Sequence, residues 1–232
     1  MTVVFVTATD TDAGKTAISQ AWLYGARAMG KQVLGYKPIA AGADWHNGQL
    51  INEDAQRLAE QSSADLTAGD INPVCFEPPI APHIAAAADN KEIELAKIDQ
   101  HFQQLRQIHP ADFCLVEGAG GWRLPLNLQG DTLAKWPAHN KWPVVMVVGL
   151  KLGCLNHALL TAEAIYGDGC ELAGWIGNGV DPTMANQQAN IDSLNALLHA
   201  PCLGIVPHLK DPNPTAIWSH LNNGLTALSQ RL

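Results

Sequence analysis

Two kinds of apolar pattern alternate along this chain. Short, nearly unbroken runs of Val, Ile, Leu and small residues occupy 3–7, 33–36, 113–117, 144–148, 172–177 and 203–206. A strand covered on both faces reads this way, because neither side of it calls for polar positions. Between these runs lie longer segments, 15–29, 53–61, 92–108, 154–166, 185–198 and 215–228, where apolar residues return every three to four positions, as on one face of a helix. Each short run leads into a helical segment or a glycine-rich turn, so the order predicts βαβ units. The fold class expected is α/β, with a mostly parallel central sheet and helices on both faces. The 232 residues are enough to form one such domain over 1–232, with no second domain required.

One interval breaks the rhythm. From 40 to 90 the chain carries Gly, Asp and Asn together with Pro73, Pro78, Pro79 and Pro82, and an irregular loop region beside the active site is expected there. Asp211-Pro212-Asn213-Pro214 reads as a turn before one last packing helix. No internal repeat is present, and the alanines at 85–88 are too few to form a low-complexity tract.

Charge narrows the partners. Fourteen Lys and Arg against 22 Asp and Glu leave a formal charge of -8, the wrong sign for neutralising a nucleic-acid backbone. An anionic ligand must then be held by local lysines, backbone N–H groups or a metal ion. The start Met1-Thr2-Val3-Val4-Phe5 lacks a basic leader and reads as a strand. Clean apolar runs such as 144–148 are too short for a bilayer. A cytoplasmic protein without membrane association is expected. Cys75, Cys114, Cys154, Cys170 and Cys202 stand singly, with no C-x-x-C pair, and read as reduced thiols.

The chemistry begins where the first strand meets the first helix. Val6-Thr7-Ala8-Thr9-Asp10-Thr11-Asp12-Ala13-Gly14-Lys15-Thr16 ends in Gly-Lys-Thr, the close of a phosphate-binding loop. Gly14 lets the backbone approach phosphate, Lys15 supplies a point charge, and the Thr16 hydroxyl is a Mg²⁺ ligand type. The usual first glycine of the pattern falls at Thr9, and positions 1–13 contain no glycine. Loop closure must use another first turn, with Asp10 and Thr11 side chains bonding nearby N–H groups.

Ligands of open parallel sheets bind outside the carboxyl ends of the strands, which gathers the remaining motifs. Lys37-Pro38 follows the second run, and Glu117-Gly118-Ala119-Gly120-Gly121 the third. Asp54 opens a helix and is placed to join Glu117 and Thr16 as hard oxygen donors for Mg²⁺, although Asn52-Glu53-Asp54 also has the form of a helix cap. Lys151-Leu152-Gly153-Cys154-Leu155-Asn156-His157 starts a helix with no acid in its first turn, a receptor for a carboxylate. Cys154 and His157 as a nucleophilic pair is the weaker reading. Asn178-Gly179 and Pro207-His208-Leu209 are alternatives for bordering adenine.

These residues resemble dethiobiotin synthetase, the ATP-dependent enzyme of biotin biosynthesis, along most of the chain. The resemblance rests on Thr9-Asp10-Thr11 with Gly14-Lys15-Thr16, Gly35-Tyr36-Lys37-Pro38, Asn52 with Asp54, Pro82-His83-Ile84, Val116-Glu117-Gly118-Ala119-Gly120-Gly121-Trp122, Lys151-Leu152-Gly153-Cys154 with Asn156-His157-Ala158, and Ala173-Gly174-Trp175. It implies an ATP- and Mg²⁺-dependent ligase that closes the ureido ring of dethiobiotin from 7,8-diaminononanoate and CO₂, through a carbamate and its mixed anhydride with phosphate. By resemblance, Lys15 and Lys37 are the catalytic cations and Thr16, Asp54 and Glu117 hold the metal. Asp12, Ala13, Gly14, Lys15, Thr16 and Ala17 wrap the phosphates of ATP, and Glu117, Gly118, Ala119 and Gly120 line the same site. Asn178, Gly179, Pro207, His208 and Leu209 lie toward adenine. Thr11, Ala41, Gly153, Cys154, Leu155 and Asn156 are the substrate positions, the last four offered by the partner subunit of a homodimer. His83 either touches substrate or packs its loop.

Three positions depart from the family: Ala8 stands for glycine, Ala41 for serine and Gly179 for an acid. Another amide-forming ligase of the superfamily, a degenerate binding protein and a partition-type switch ATPase are the other readings. The switch carries a lysine where this chain has Asp10.

Overall fold

The computed structural model describes residues 2–231. In chain order it contains β1 (Thr2–Ala8), α1 (Lys15–Ala28), β2 (Val33–Tyr36), β3 (Ile39–Ala41), β4 (Asp44–His46), β5 (Gln49–Ile51), α2 (Glu53–Gln61), α3 (Ala68–Ile71), β6 (Val74–Phe76), α4 (Pro82–Ala88), α5 (Leu95–Ile108), β7 (Phe113–Glu117), α6 (Lys135–Asn140), β8 (Val144–Gly149), α7 (Cys154–Gly167), β9 (Leu172–Asn178), α8 (Gln187–Leu197), β10 (Cys202–Val206), α9 (Pro214–Trp218) and α10 (Asn222–Arg231). All six strands expected from the apolar runs are present. They form one sheet in the order β10-β9-β8-β1-β7-β2, parallel at every pairing.

The run pattern explains the core. Val3, Val4, Phe5 and Val6 are all buried in β1, as are all residues of β7 and β8, because helices cover both faces. The order places β1 between β7 and β8, so the loop leaving β1 opens at the middle of the sheet's carboxyl edge. Strands β7 and β2 deliver their exits to one side of that loop, and β8, β9 and β10 to the other.

Two expectations need correction. The interval 40–90 is not an irregular loop throughout: β3 pairs with β6 in parallel, and β4 and β5 form a hairpin. The hairpin turns on Asn47 and Gly48, with φ of 50° and 83°, the two left-handed positions that a tight turn between twisted strands requires. The last helix is two helices. Ile217, Leu221, Leu225 and Leu228 are buried at helical spacing, which suggested a continuous element. The backbone tightens instead between α9 and α10, where His220 N–H donates to the Ile217 carbonyl and Leu221 N–H to the Trp218 carbonyl, as the chain packs onto β10 at Gly204. Among the described residues no helix is long and apolar enough to cross a membrane.

Candidate active site

The loop after β1 closes through two left-handed residues, Asp12 at φ 60° and Gly14 at φ 86°. The missing early glycine is thus replaced by a later turn, and Asp10 Oδ1 accepts from the Thr11 N–H at 2.9 Å to stiffen its start. Gly14 has a second reason to be glycine, since a Cβ there would lie 2.1 Å from Asn178 Nδ2. That amide donates to the Ala13 carbonyl at 3.0 Å, so the end of β9 braces the loop from beneath. Helix α1 then begins with no acid in its first turn, leaving its N–H groups and dipole to an anion.

Lys15 is buried, with its Nζ donating to the Gly120 carbonyl at 2.7 Å. Burial pulls its pKa below the ordinary 10.5, Glu117 opposes the shift, and Lys37 adds to it. Raising the pH therefore deprotonates Lys15 sooner than a free lysine. The alkaline limb of kcat/KM for ATP, which reports groups of the free enzyme, is expected to have its midpoint below 10.5, as a pH–rate series will show.

Glu117, at the end of β7, is fully buried and receives two donors on one oxygen. Lys37 Nζ reaches Oε1 at 2.6 Å and the Thr16 hydroxyl reaches it at 2.9 Å. Lys37 also donates to Asp54 Oδ2 at 3.2 Å. Burial alone would lower the pKa of Lys37, but the carboxylates of Glu117 and Asp54 outweigh it and hold the ammonium above its ordinary value. Asp54 lies below its usual range: burial works upward, and Lys37, the Thr16 hydroxyl and Lys15 pull further down. The capping alternative for Asp54 is resolved by Asn52, which is the N-cap of α2 and accepts from the Ala55 N–H at 3.2 Å. Asp54 is left to face the site.

Lys15, Thr16, Lys37 and Asp54 border one cavity of about 820 Å³, with Glu117 buried behind them. Its walls also include Ala40, Ala41, Ile80, Pro82, Leu124 and Pro125. Thr11, Asp12, Gly14, Ala17 and Gly120 line it as well. Arg57 and Arg123 also line the cavity and were missed in the sequence. Arg57 was legible, since it follows Asp54 by three residues on the same helix face. Nothing in the sequence marked Arg123, which pairs with Asp168 at 2.6 Å beside the bond from Trp122 Nε1 to the same carboxylate.

A magnesium ion fits this donor set on one observation: buried Glu117 Oε2 has no hydrogen-bond partner among the described residues. An orphaned carboxylate oxygen beside the Thr16 hydroxyl and Asp54 suits a cation that takes few protein oxygens and completes its shell with phosphates and water.

Other expected residues lie apart from the cavity. Gly153, Cys154, Leu155 and Asn156 form the start of α7 on the outer surface, where Cys154 is buried and Leu152 is 94% exposed. Asn178, Gly179, Pro207 and His208 come together on the other side of the loop. Gly179 N–H donates to the Val206 carbonyl at 2.8 Å, and His208 Nδ1 is 3.1 Å from the Gly179 oxygen. Leu209 packs against the core nearby. His83 lines a separate depression of about 870 Å³ with Ile84, Leu126 and Leu128, and its buried Nδ1 has no hydrogen-bond partner among the described residues.

The three departures have structural explanations of unequal weight. Ala8 lies in β1 with ordinary extended backbone, so its methyl is accommodated. At Gly179 a Cβ would come within 2.6 Å of His208 N and 2.9 Å of the Pro207 carbonyl carbon, so the close turn excludes an acid. Gly179→Asp is expected to cost about 1–3 kcal/mol through this clash, read in urea denaturation. Ala41 contributes its carbonyl, 3.4 Å from Asn52 Nδ2, and nothing in the structure explains the alanine.

A strand-to-helix loop with buried lysine, hydroxyl and acid at the centre of a parallel sheet defines a P-loop nucleotide-binding enzyme. An AAA domain family model matches residues 2–216. The chain is 45% identical to the ATP-dependent dethiobiotin synthetase BioD of Aromatoleum aromaticum over 94% of its length and 95% of that protein's. It is 46% identical to the BioD of Cellvibrio japonicus, covering 94% of each. The chain belongs to the ATP-dependent dethiobiotin synthetase family. The fold is shared more widely. The MinC:MinD cell division complex of Aquifex aeolicus aligns with TM-score 0.62 at 12% identity, covering 99% of this chain and 96% of that one. MinD of Pyrococcus horikoshii, complexed with Mg-ADP, aligns with TM-score 0.55 at 15% identity, over 91% and 82%.

Proposed function

We propose that this protein joins 7,8-diaminononanoate and CO₂ into the ureido ring of dethiobiotin at the expense of ATP. The observation that carries the reading is one cavity lined both by Lys15, Lys37, Thr16 and Asp54 and by small or apolar side chains such as Ala40, Ala41, Ile80 and Leu124. The charged and hydroxyl groups suit phosphoryl and carbamate oxygens, and the apolar walls an alkyl chain.

In this reading one amine of the substrate captures CO₂ as a carbamate. A carbamate oxygen attacks the γ-phosphorus of ATP, and the bond to the β,γ-bridging oxygen breaks, releasing ADP. The second amine then attacks the carbamate carbon, loses a proton and expels inorganic phosphate as the ring closes. Negative charge gathers on oxygen at each stage, so fixed cations and N–H groups are the main catalytic means. Lys15 and the start of α1 hold the phosphates, and Lys37, kept charged by Glu117 and Asp54, faces the carbamate. Thr16, Asp54 and Glu117 would hold Mg²⁺, which when bound neutralises phosphoryl charge.

Asn178, Gly179 and the Pro207–Leu209 turn are assigned to the adenine side, on the flank of the loop away from Lys37. The start of α7 lies outside its own chain's cavity, which supports a homodimer in which Gly153–Asn156 receives the substrate carboxylate of the partner's site. The chain is read as one cytoplasmic domain. A partition-type switch is disfavoured, since Asp10 replaces the lysine of that class and is itself engaged by Lys151.

Incubation with 7,8-diaminononanoate, bicarbonate, Mg²⁺ and ATP is expected to yield dethiobiotin by mass spectrometry and one ADP per ring. Absence of diamine-dependent ADP release would overturn the reading. Stimulation by a different amine acid would transfer it to another ligase of the superfamily.

A further inference from the structure

Asp10 and Lys151 are used by none of the steps above, yet they join the two regions that must act on one substrate molecule. Asp10 sits in the loop after β1 and Lys151 just beyond β8. Asp10 Oδ2 is 3.0 Å from Lys151 Nζ, while its other oxygen accepts from the N–H of Thr11 at 2.9 Å. Thr11 lines the cavity. On the far side, the Lys151 carbonyl accepts from the N–H of Cys154 at 3.0 Å and so fixes the first turn of α7. A continuous chain of contacts thus runs from the cavity wall at Thr11, through one carboxylate and one ammonium, to the start of α7. His157, one turn further along α7, also acts electrostatically on Asp10.

We infer that Asp10 and Lys151 are a positioning pair that couples closure of the phosphate loop to the substrate-carboxylate receptor at the start of α7. The inference rests on the proposed function. In a homodimer the receptor of one subunit serves the other's site, so the pair also links the ATP site of one protomer to the diamine site of its partner. ATP binding orders Thr11 and the loop, the ion pair passes that order to α7, and the diamine meets a receptor already aligned. Coupling is reciprocal, so the diamine must tighten ATP binding by the same factor.

Both side chains are partly exposed, at 40% and 44%, which limits the effect to roughly threefold to fivefold, the upper range for such a pair. The test uses Asp10→Asn, Lys151→Met and the double variant of the full-length protein. Titration calorimetry measures ATP affinity with and without 7,8-diaminononanoate, and steady-state assays measure KM for each substrate. Each single variant is expected to lose the diamine-dependent tightening of ATP binding and to raise KM for the diamine roughly threefold to fivefold. The double variant is expected to be no worse than the poorer single one, as for two residues acting through one contact. In wild type the coupling should fade with added salt, because an exposed pair is screened.

Equal losses of ATP affinity with and without diamine would mark a purely structural role and overturn the inference. Unchanged coupling in both single variants, or strictly additive losses in the double, would do the same. If wild type shows no diamine-dependent ADP release, it is the proposed function that fails, a result read before any variant is made.

Discussion

Lys37→Met is expected to lower kcat by about 10²–10³-fold, the loss typical of removing one preorganised electrostatic group from a transition state. It should also weaken the fold. The Lys37 side chain is 4% exposed and that of Glu117 0%, so deleting the ammonium strands a buried carboxylate whose other oxygen already lacks a partner. Breaking such a pair costs about 3–5 kcal/mol, far more than its formation contributes net. Urea denaturation without nucleotide will read the stability loss, and single-turnover assays the chemical one. The pH dependence has a definite sign. Lys37 has a raised pKa, so its contribution is complete below the ordinary 10.5 and is lost as pH climbs through the higher folded value. The Lys37 share of the stability gap should therefore be complete through neutral pH and be lost only under strongly alkaline conditions. Lys37→Arg should not rescue turnover, because the larger planar guanidinium must be fitted into the buried space of a compact ammonium.

Glu117→Gln is expected to have a comparable kinetic effect for a different reason. The amide oxygen can still accept from Thr16 and Lys37, so the hydrogen-bond geometry is largely kept, but the charge is gone. Among the groups raising the pKa of Lys37, Glu117 is the strongest, and without it the effect of burial gains on Asp54 alone. The ammonium loses a proton more readily, and one metal-ligand oxygen is replaced. Turnover should fall by about 10²–10³-fold, and the residual activity should show an alkaline limb shifted to lower pH than in wild type. The half-saturating Mg²⁺ concentration should rise. A normal pH profile with normal Mg²⁺ dependence would separate Glu117 from both roles.

Much of the site was legible because strand ends and helix starts are marked in sequence by composition. The run Phe113–Glu117 is apolar until its last residue, and an acid in that position needs a partner; the structure gives it Lys37 and Thr16. The Gly14-Lys15-Thr16 turn was legible for the same reason, since strand, loop and helix fell in order. Legibility failed where pairing depends on residues distant in the chain. Strands β3 and β6 are three residues each and make sense only against one another. The β4–β5 hairpin did carry a local signal, Asn47-Gly48, which the surrounding prolines and polar residues obscured. The break between α9 and α10 comes from contact with β10, and periodicity alone cannot report it. Arg123 enters the cavity rim because Asp168, at the far end of α7, holds it there.

The contact between α1 and α9 has a consequence for how the protein is made. Gly25 of α1 lies against the indole of Trp218, so close that a Cβ there would fall 2.2 Å from the ring. The helix that begins with Lys15 and Thr16 is therefore packed by α9, a segment that follows it far along the sequence. On the ribosome, every residue proposed to touch phosphate, metal or carbamate is synthesised long before Trp218 emerges. The groove on α1 must wait uncovered until α9 has been made. A nascent chain stalled before α9 would expose that groove to chaperones and to other unfinished chains.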